Sequence, residues 1–129
     1  MKIDLCPDRA DYYTQLNNEV NPYISCQTTA MVNGLDLVFR NLEPVKKAAG
    51  YRQPEDCLYH YICEDADVLN FYKRNHPESS IPAPEWADVL CFAVNRLYGK
   101  AVVFFDGNIT PEKIIQELVK GLPVMVSMQ

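Results

Sequence analysis

The sequence predicts an α+β fold, and three observations carry that expectation. Apolar residues recur at helical spacing from Cys26 to Gly99. Two short runs rich in β-branched and aromatic residues, KAVVFFDG and LPVMVSM, follow in the last third and flank one more helical segment. The chain has 129 residues, 48% of them apolar, enough for one domain to bury a core without disulfide or metal staples. The expected architecture is a helix-rich part with a small, partial antiparallel sheet, formed as one domain over residues 1–129.

Taken in order, residues 1–25 read as loop, with a short helix near DRADYYTQL and turn formers at Asn17, Asn18, Asn21 and Pro22. A helix is expected over about residues 26–40. Cys26, Ala30, Met31, Gly34, Leu35, Val38 and Leu42 share one face, Ser25 is the N-cap, and Pro44 ends the run. QPEDCLYHYICEDADVLNFYKRNHPE reads as one or two helices that bury Leu58, Tyr61, Ile62, Val68, Leu69 and Tyr72, closed by His76 and Pro77. ESSIPAP is a loop. PEWADVLCFAVNRLYG is an amphipathic helix with Pro84 in its first turn, Trp86, Val89, Leu90, Ala93 and Leu97 on one face, and Gly99 as its stop. TPEKIIQELVKG is a helix capped by Thr110, with Pro111 first and Gly121 last.

Composition excludes several classes of function. The formal net charge is −5 and no run of Lys or Arg exceeds a pair, so clustered phosphate contacts, and with them nucleic-acid binding, are not expected. Anionic membrane surfaces are disfavoured for the same reason. No apolar run approaches the roughly 18 residues that span a bilayer. The start, MKIDLCPDRADYY, lacks the apolar segment of a signal peptide. Five cysteines, Cys6, Cys26, Cys57, Cys63 and Cys91, form an odd set without a CxxC, which points to free thiols in a reducing compartment. The chain is therefore expected in the cytoplasm, or exported without a visible signal.

The chemistry centres on Cys26. A cysteine in the first turn of a helix lies at the positive end of the helix dipole, a place that favours thiolate. The bland alternative is a small buried hydrophobe. Gln15 lies eleven residues earlier, across an Asn- and Pro-rich loop. A neutral amide beside a nucleophile donates to a developing oxyanion; taken singly, a Gln is an ordinary surface residue.

The stretch YYTQLNNEVNPYISCQTTAMVNGL resembles the start of papain-like cysteine peptidases, closest to relatives of the leader peptidases that cut bacteriocin precursors after a double glycine. Those proteins carry a Y-x-Q-x-(D/N)-N stretch, a polar loop, then C-(G/N)-x-(T/S)-x-x-A-M opening a helix. Tyr13, Gln15, Asn18, Cys26, Thr28 or Thr29, Ala30 and Met31 match. TPEKIIQELVKGLPVMVSMQ is similar to the family's helix followed by a G-x-P-V strand. Together these stretches cover about a third of the chain, in the family's order. The resemblance implies a papain-like fold, Cys26 as nucleophile and Gln15 as oxyanion donor. In the family the catalytic His follows that last strand. Here the chain ends at Gln129, and the only histidines, His60 and His76, precede it. This departure leads to the expectation of a domain truncated at its C-terminus, a remnant, or one fragment of a cleaved chain.

Other candidates are weaker. Cys57, His60 and Cys63 stand three apart, but no fourth metal ligand is visible, and no metal is expected. Glu64, Asp65 and Asp67 read as a solvated face or a helix cap, and the DGN at 106–108 as a turn. No Gly-rich phosphate loop occurs, and no cofactor is expected. The reading is thiol-dependent cleavage of a peptide bond in a peptide or protein substrate, such as a leader peptide or a cell-wall stem peptide in a bacterial or phage setting. Its rival is a non-catalytic papain-like module that binds a peptide or protein partner. An uncovered PVMVSM edge leads to the further expectation of a homo-oligomer or a missing C-terminal segment.

Overall fold

Residues 13–126 are described in the computed structural model. Among the described residues six α-helices form: α1 Cys26–Phe39, α2 Glu43–Lys46, α3 Pro54–Glu64, α4 Ala66–Asn75, α5 Ala87–Tyr98 and α6 Pro111–Val119. Single 3-10 turns at Gln15–Asn17 and Ala83–Glu85 precede α1 and α5. The short helix expected near DRADYYTQL lies mostly outside the described residues.

Among the described residues there is no strand, so the expected α+β fold with a papain-like partial sheet is corrected to an all-helical one. The physical reason is visible at 101–106. A strand needs a neighbour to take up its backbone groups, and here a side chain takes them instead. Asn95 of α5 accepts from the N–H of Val102 (2.8 Å) and Val103 (3.0 Å) and donates to the Val103 carbonyl (2.9 Å). The second β-prone run is irregular over 122–126, where Pro123 removes one backbone donor; residues 127 and 128 of that run lie outside the described residues.

α3 is the hub, packing against α1, α2, α4, α5 and the 3-10 turn at 83–85. Leu58 and Ile62 of α3 are fully buried with Val32 of α1, Val45 of α2, Val68 of α4 and Leu90 of α5. The helix ends follow sequence signals. Asp65 caps α4 by accepting from Val68 N–H (3.1 Å), and Thr110 caps α6 by accepting from Lys113 N–H (3.3 Å). Gly99 stops α5 at φ 69°. Pro44 does not simply end α1. Arg40 does so in the left-handed region at φ 53°, and Pro44 opens the short α2.

The face of α1 differs from the expected one. Its buried residues are Thr28, Thr29, Met31, Val32 and Leu35, while Cys26, Ala30 and Val38 are exposed. At about 100° per residue, Cys26 lies across the helix from the buried stripe 28–31–32–35. Two threonines enter the core because their hydroxyls are satisfied locally: Thr28 and Thr29 both donate to the Ser25 carbonyl, at 3.0 and 2.8 Å.

A candidate nucleophile at the start of helix α1

Cys26 is the first residue of a 14-residue helix, and its thiol is free and exposed. Its N-cap residue makes no side-chain capping hydrogen bond. Ser25 stands at the N-cap, but it is buried, with φ −106° and ψ 21°, and its hydroxyl is held by the amide of Asn18. The positive end of the α1 dipole is thus left without the side-chain oxygen that a serine there normally supplies.

The loop that leads to Cys26 is pinned at three places. Tyr13 N–H donates to Asn33 Oδ1 (2.9 Å), and Asn33 Nδ2 donates back to the Tyr13 carbonyl (3.0 Å). Asp56, buried in the first turn of α3, accepts from the N–H groups of Glu19 (2.9 Å) and Val20 (3.1 Å). Asn21 Nδ2 donates to the Tyr59 hydroxyl (3.2 Å). Gln15 lies between the first two anchors; its side chain is outside what the structure describes, so its distance to Cys26 is not part of the site's geometry. On the far side, Gln27 Nε2 donates to the Glu85 carbonyl (3.2 Å), tying the start of α1 to the turn before α5.

Glu55 sits beside Asp56 and is fully buried. Burial raises its carboxyl above the usual carboxylate range; its own backbone N–H opposes that rise and the neighbouring Asp56 adds to it. With the Asn17 amide nitrogen facing the Thr14 carbonyl (2.6 Å), the same nitrogen donates to Glu55 Oε1 (3.3 Å), while Glu55 Oε2 has no partner.

Neither histidine is engaged with this thiol. The His60 ring lies against Tyr51, with centroids 5.3 Å apart. His76 Nε2 is bonded to both carboxylate oxygens of Asp88, at 2.9 and 2.8 Å, and the ring stacks on Trp86 at 3.7 Å. The other described thiols are less available. Burial raises Cys57, Cys63 and Cys91, the last to about 11, and Cys57 Sγ is directed at the carbonyls of Ala49 and Tyr51. Among the described residues no three His, Cys, Asp or Glu side chains converge as a metal site. Asp65 and Asp67 instead bind Arg96. Asp106 accepts from Asn108 N–H (2.8 Å), closing the expected turn. None of the described helices is long and apolar enough to cross a membrane.

Sequence reasoning missed the acidic first turn of α3 and the Asn33 clamp. Acids at the start of a helix read as surface charge complementing the dipole. The signal that they are buried is the number of loop N–H groups needing acceptors, which the sequence carries only indirectly. No family model, curated protein or solved structure matches this chain.

Proposed function

We propose that the chain is a thiol-dependent peptidase with Cys26 as its nucleophile and a peptide or protein as its substrate. One observation carries the reading: an exposed thiol at the first position of a long, uncapped helix, turned away from the core and approached by a pinned loop. Leu16, Tyr23 and Ile24 on that loop expose apolar side chains that offer contact to a peptide. In the reaction the Cys26 thiolate attacks the carbonyl carbon and a C–S bond forms. The carbonyl π pair moves to oxygen, where the Cys26 N–H and the Gln15 amide donate to it. Collapse breaks the C–N bond, and the amine leaves with a proton taken from solvent, a slow route that leaves the 129-residue chain by itself inactive or only weakly active on amides. Water then hydrolyses the thioester, returning the thiol and a carboxylic acid. Leader peptides and cell-wall stem peptides are the substrate classes proposed. Acylation is read directly: after mixing with a p-nitrophenyl ester, intact-mass and fragment spectra should carry the acyl group on Cys26. Acyl groups spread over several cysteines, or absent, would refute the assignment.

A second reading is a non-catalytic module that binds a peptide or protein. The engagement of His60 with Tyr51 and of His76 with Asp88 favours it, since a peptidase thiol ordinarily works with a nearby base. Self-association belongs to either reading. α6 buries none of its residues, and Phe104 (84% exposed) and Val119 (66%) leave an apolar surface at that end of the chain. The four cysteines among the described residues are unpaired, which fits a reducing, cytoplasmic setting.

A further inference from the structure

The first turn of α3 buries two carboxylates. Glu55 is 0% exposed and Asp56 1%. Among the described residues no Lys, Arg or His forms an ion pair with either. Asp56 is satisfied by the N–H groups of Glu19 and Val20. Glu55 is not: Oε1 meets the Asn17 amide, and Oε2 meets no donor. The loop residue between those contacts is Asn18, 7% exposed, and its Oδ1 is also buried without a partner. Residues 17–20 thus lie along the turn that holds Glu55, and two oxygens enclosed at this junction lack a donor. Buried acceptors are nearly always paired, so the junction calls for one. A hard cation takes about six or more oxygens, and among the described residues no three His, Cys, Asp or Glu converge. One proton suffices. On Oε2 it removes an uncompensated buried charge and becomes a donor for Asn18 Oδ1.

We propose that Glu55 is a proton-operated latch on the loop before α1: protonated at Oε2 it donates to Asn18 Oδ1 and holds residues 17–20 on α3, and when that proton passes to water the loop lifts. Burial raises the Glu55 carboxyl, its own N–H opposes the rise, and Asp56 adds to it. Asp56 is the one charged group that acts on it among the described residues. The Cys57 thiol of the same turn is raised by its own burial. The loop brings neutral Asn17 and Asn18 and the exposed Glu19, and Glu43 and Lys46 of α2 are exposed. Ionised, Glu55 sets a second negative charge beside Asp56 and turns only acceptors toward Asn18 Oδ1. The latch is therefore closed at low pH and opens as pH rises through the raised value. It does not involve Cys26 and stands apart from the nucleophile reading.

The experiment is hydrogen exchange of the whole chain, followed by mass spectrometry from pH 4 to 8 and corrected for the intrinsic change of exchange rate with pH. In wild type the peptide covering residues 17–24 should lose protection by up to about tenfold per pH unit across the window in which Glu55 ionises, the slope of one released proton. Peptides from α5 should stay flat. Glu55→Gln keeps the shape and carries a permanent N–H donor, so its loop should stay protected throughout. The proposal is overturned if wild-type loop protection does not change with pH, if α5 loses protection equally, or if Glu55→Gln keeps the wild-type dependence. Protection that rises with pH would mean an ionised Glu55 receiving the Asn18 nitrogen, and overturns it too. So does protection restored at high pH by added potassium, which would make the occupant a cation. Should Glu55→Gln not fold, carboxyl NMR of wild-type chain labelled with carbon-13 glutamate decides. The Glu55 resonance must titrate together with the amide signals of Glu19 and Val20, and separate titrations refute the latch.

Discussion

Asp56 of α3 accepts two hydrogen bonds from the loop before α1, one of them from the Val20 N–H at 3.1 Å, and so fixes the loop between the turn Gln15–Asn17 and Cys26. The bonds go to a buried carboxylate and are themselves partly buried, which makes them strong and makes their loss expensive. Asp56→Ala should destabilise the fold by on the order of 2–4 kcal/mol, since hydrogen bonds to charged groups contribute about 1.5–3 kcal/mol each. Urea denaturation checks this. A loss within error of zero would mean that the loop is held elsewhere.

The thiols should react in an order set by burial. Cys26 is exposed, whereas burial raises Cys57 and Cys63, and raises Cys91 to about 11. Thiolate is the reacting form, so Cys91 should stay unlabelled at pH 7 and begin to react only as pH approaches 11. Time-resolved alkylation with peptide mapping gives the order. Labelling of Cys91 ahead of Cys26 at neutral pH would contradict it.

Glu55 makes stability depend on pH. Its carboxyl is raised in the folded chain because burial disfavours the charge, with its own N–H opposing and Asp56 adding. Between the unfolded and folded pKa values the folded state holds more protons, so stability falls as pH rises through that window, and the full penalty is present above it. Glu55→Gln, which fills the same space without a charge, should therefore melt higher than wild type at pH 7–8. The gain should shrink as pH falls through the raised pKa toward the ordinary carboxylate range. Melting curves over a pH series measure it. A variant that is less stable at every pH would show that the charge is well compensated.

The exposed apolar end should drive self-association. Phe104 and Val119 are open, while the α6 charges are in part spent within the segment, Lys113 on Asp106 (3.2 Å) and Lys120 on Glu117 (3.3 Å). Light scattering over a concentration series should detect a dimer or larger species in wild type and a shift toward monomer in Val119→Asp. A wild-type chain that stays monomeric at high concentration would contradict the proposal.

The helices were legible because their signals are local. Thr110–Pro111 and Gly99 mark ends by backbone chemistry that tertiary packing leaves intact, whereas Pro84, expected in the first turn of α5, lies in the separate 3-10 turn Ala83–Glu85 before it. The sheet was not legible as absent, because a strand depends on a neighbour that no local pattern specifies, and here Asn95 replaces that neighbour. The facing of α1 was misread for a related reason. Thr28 and Thr29 count as polar in any periodicity, but their hydroxyls bond to the Ser25 carbonyl and let them turn inward, which rotates Cys26 to the surface. That Cys26 opens a helix was readable from sequence. The Asn18–Ser25 contact just before it was not, since Asn18 reads as a turn former and Ser25 as a helix N-cap.

Cys26-dependent hydrolysis of a p-nitrophenyl ester, compared with the matched amide, tests the nucleophile assignment most directly. With both histidines engaged elsewhere, no histidine among the described residues is placed to protonate the departing amine, and such a group is worth roughly 10²- to 10⁴-fold in rate. A good leaving group does not need it. The purified chain should hydrolyse the ester and leave the amide nearly untouched. Cys26→Ala should abolish the ester activity, and Gln15→Ala should reduce it. Ester hydrolysis that survives Cys26→Ala would contradict the assignment outright.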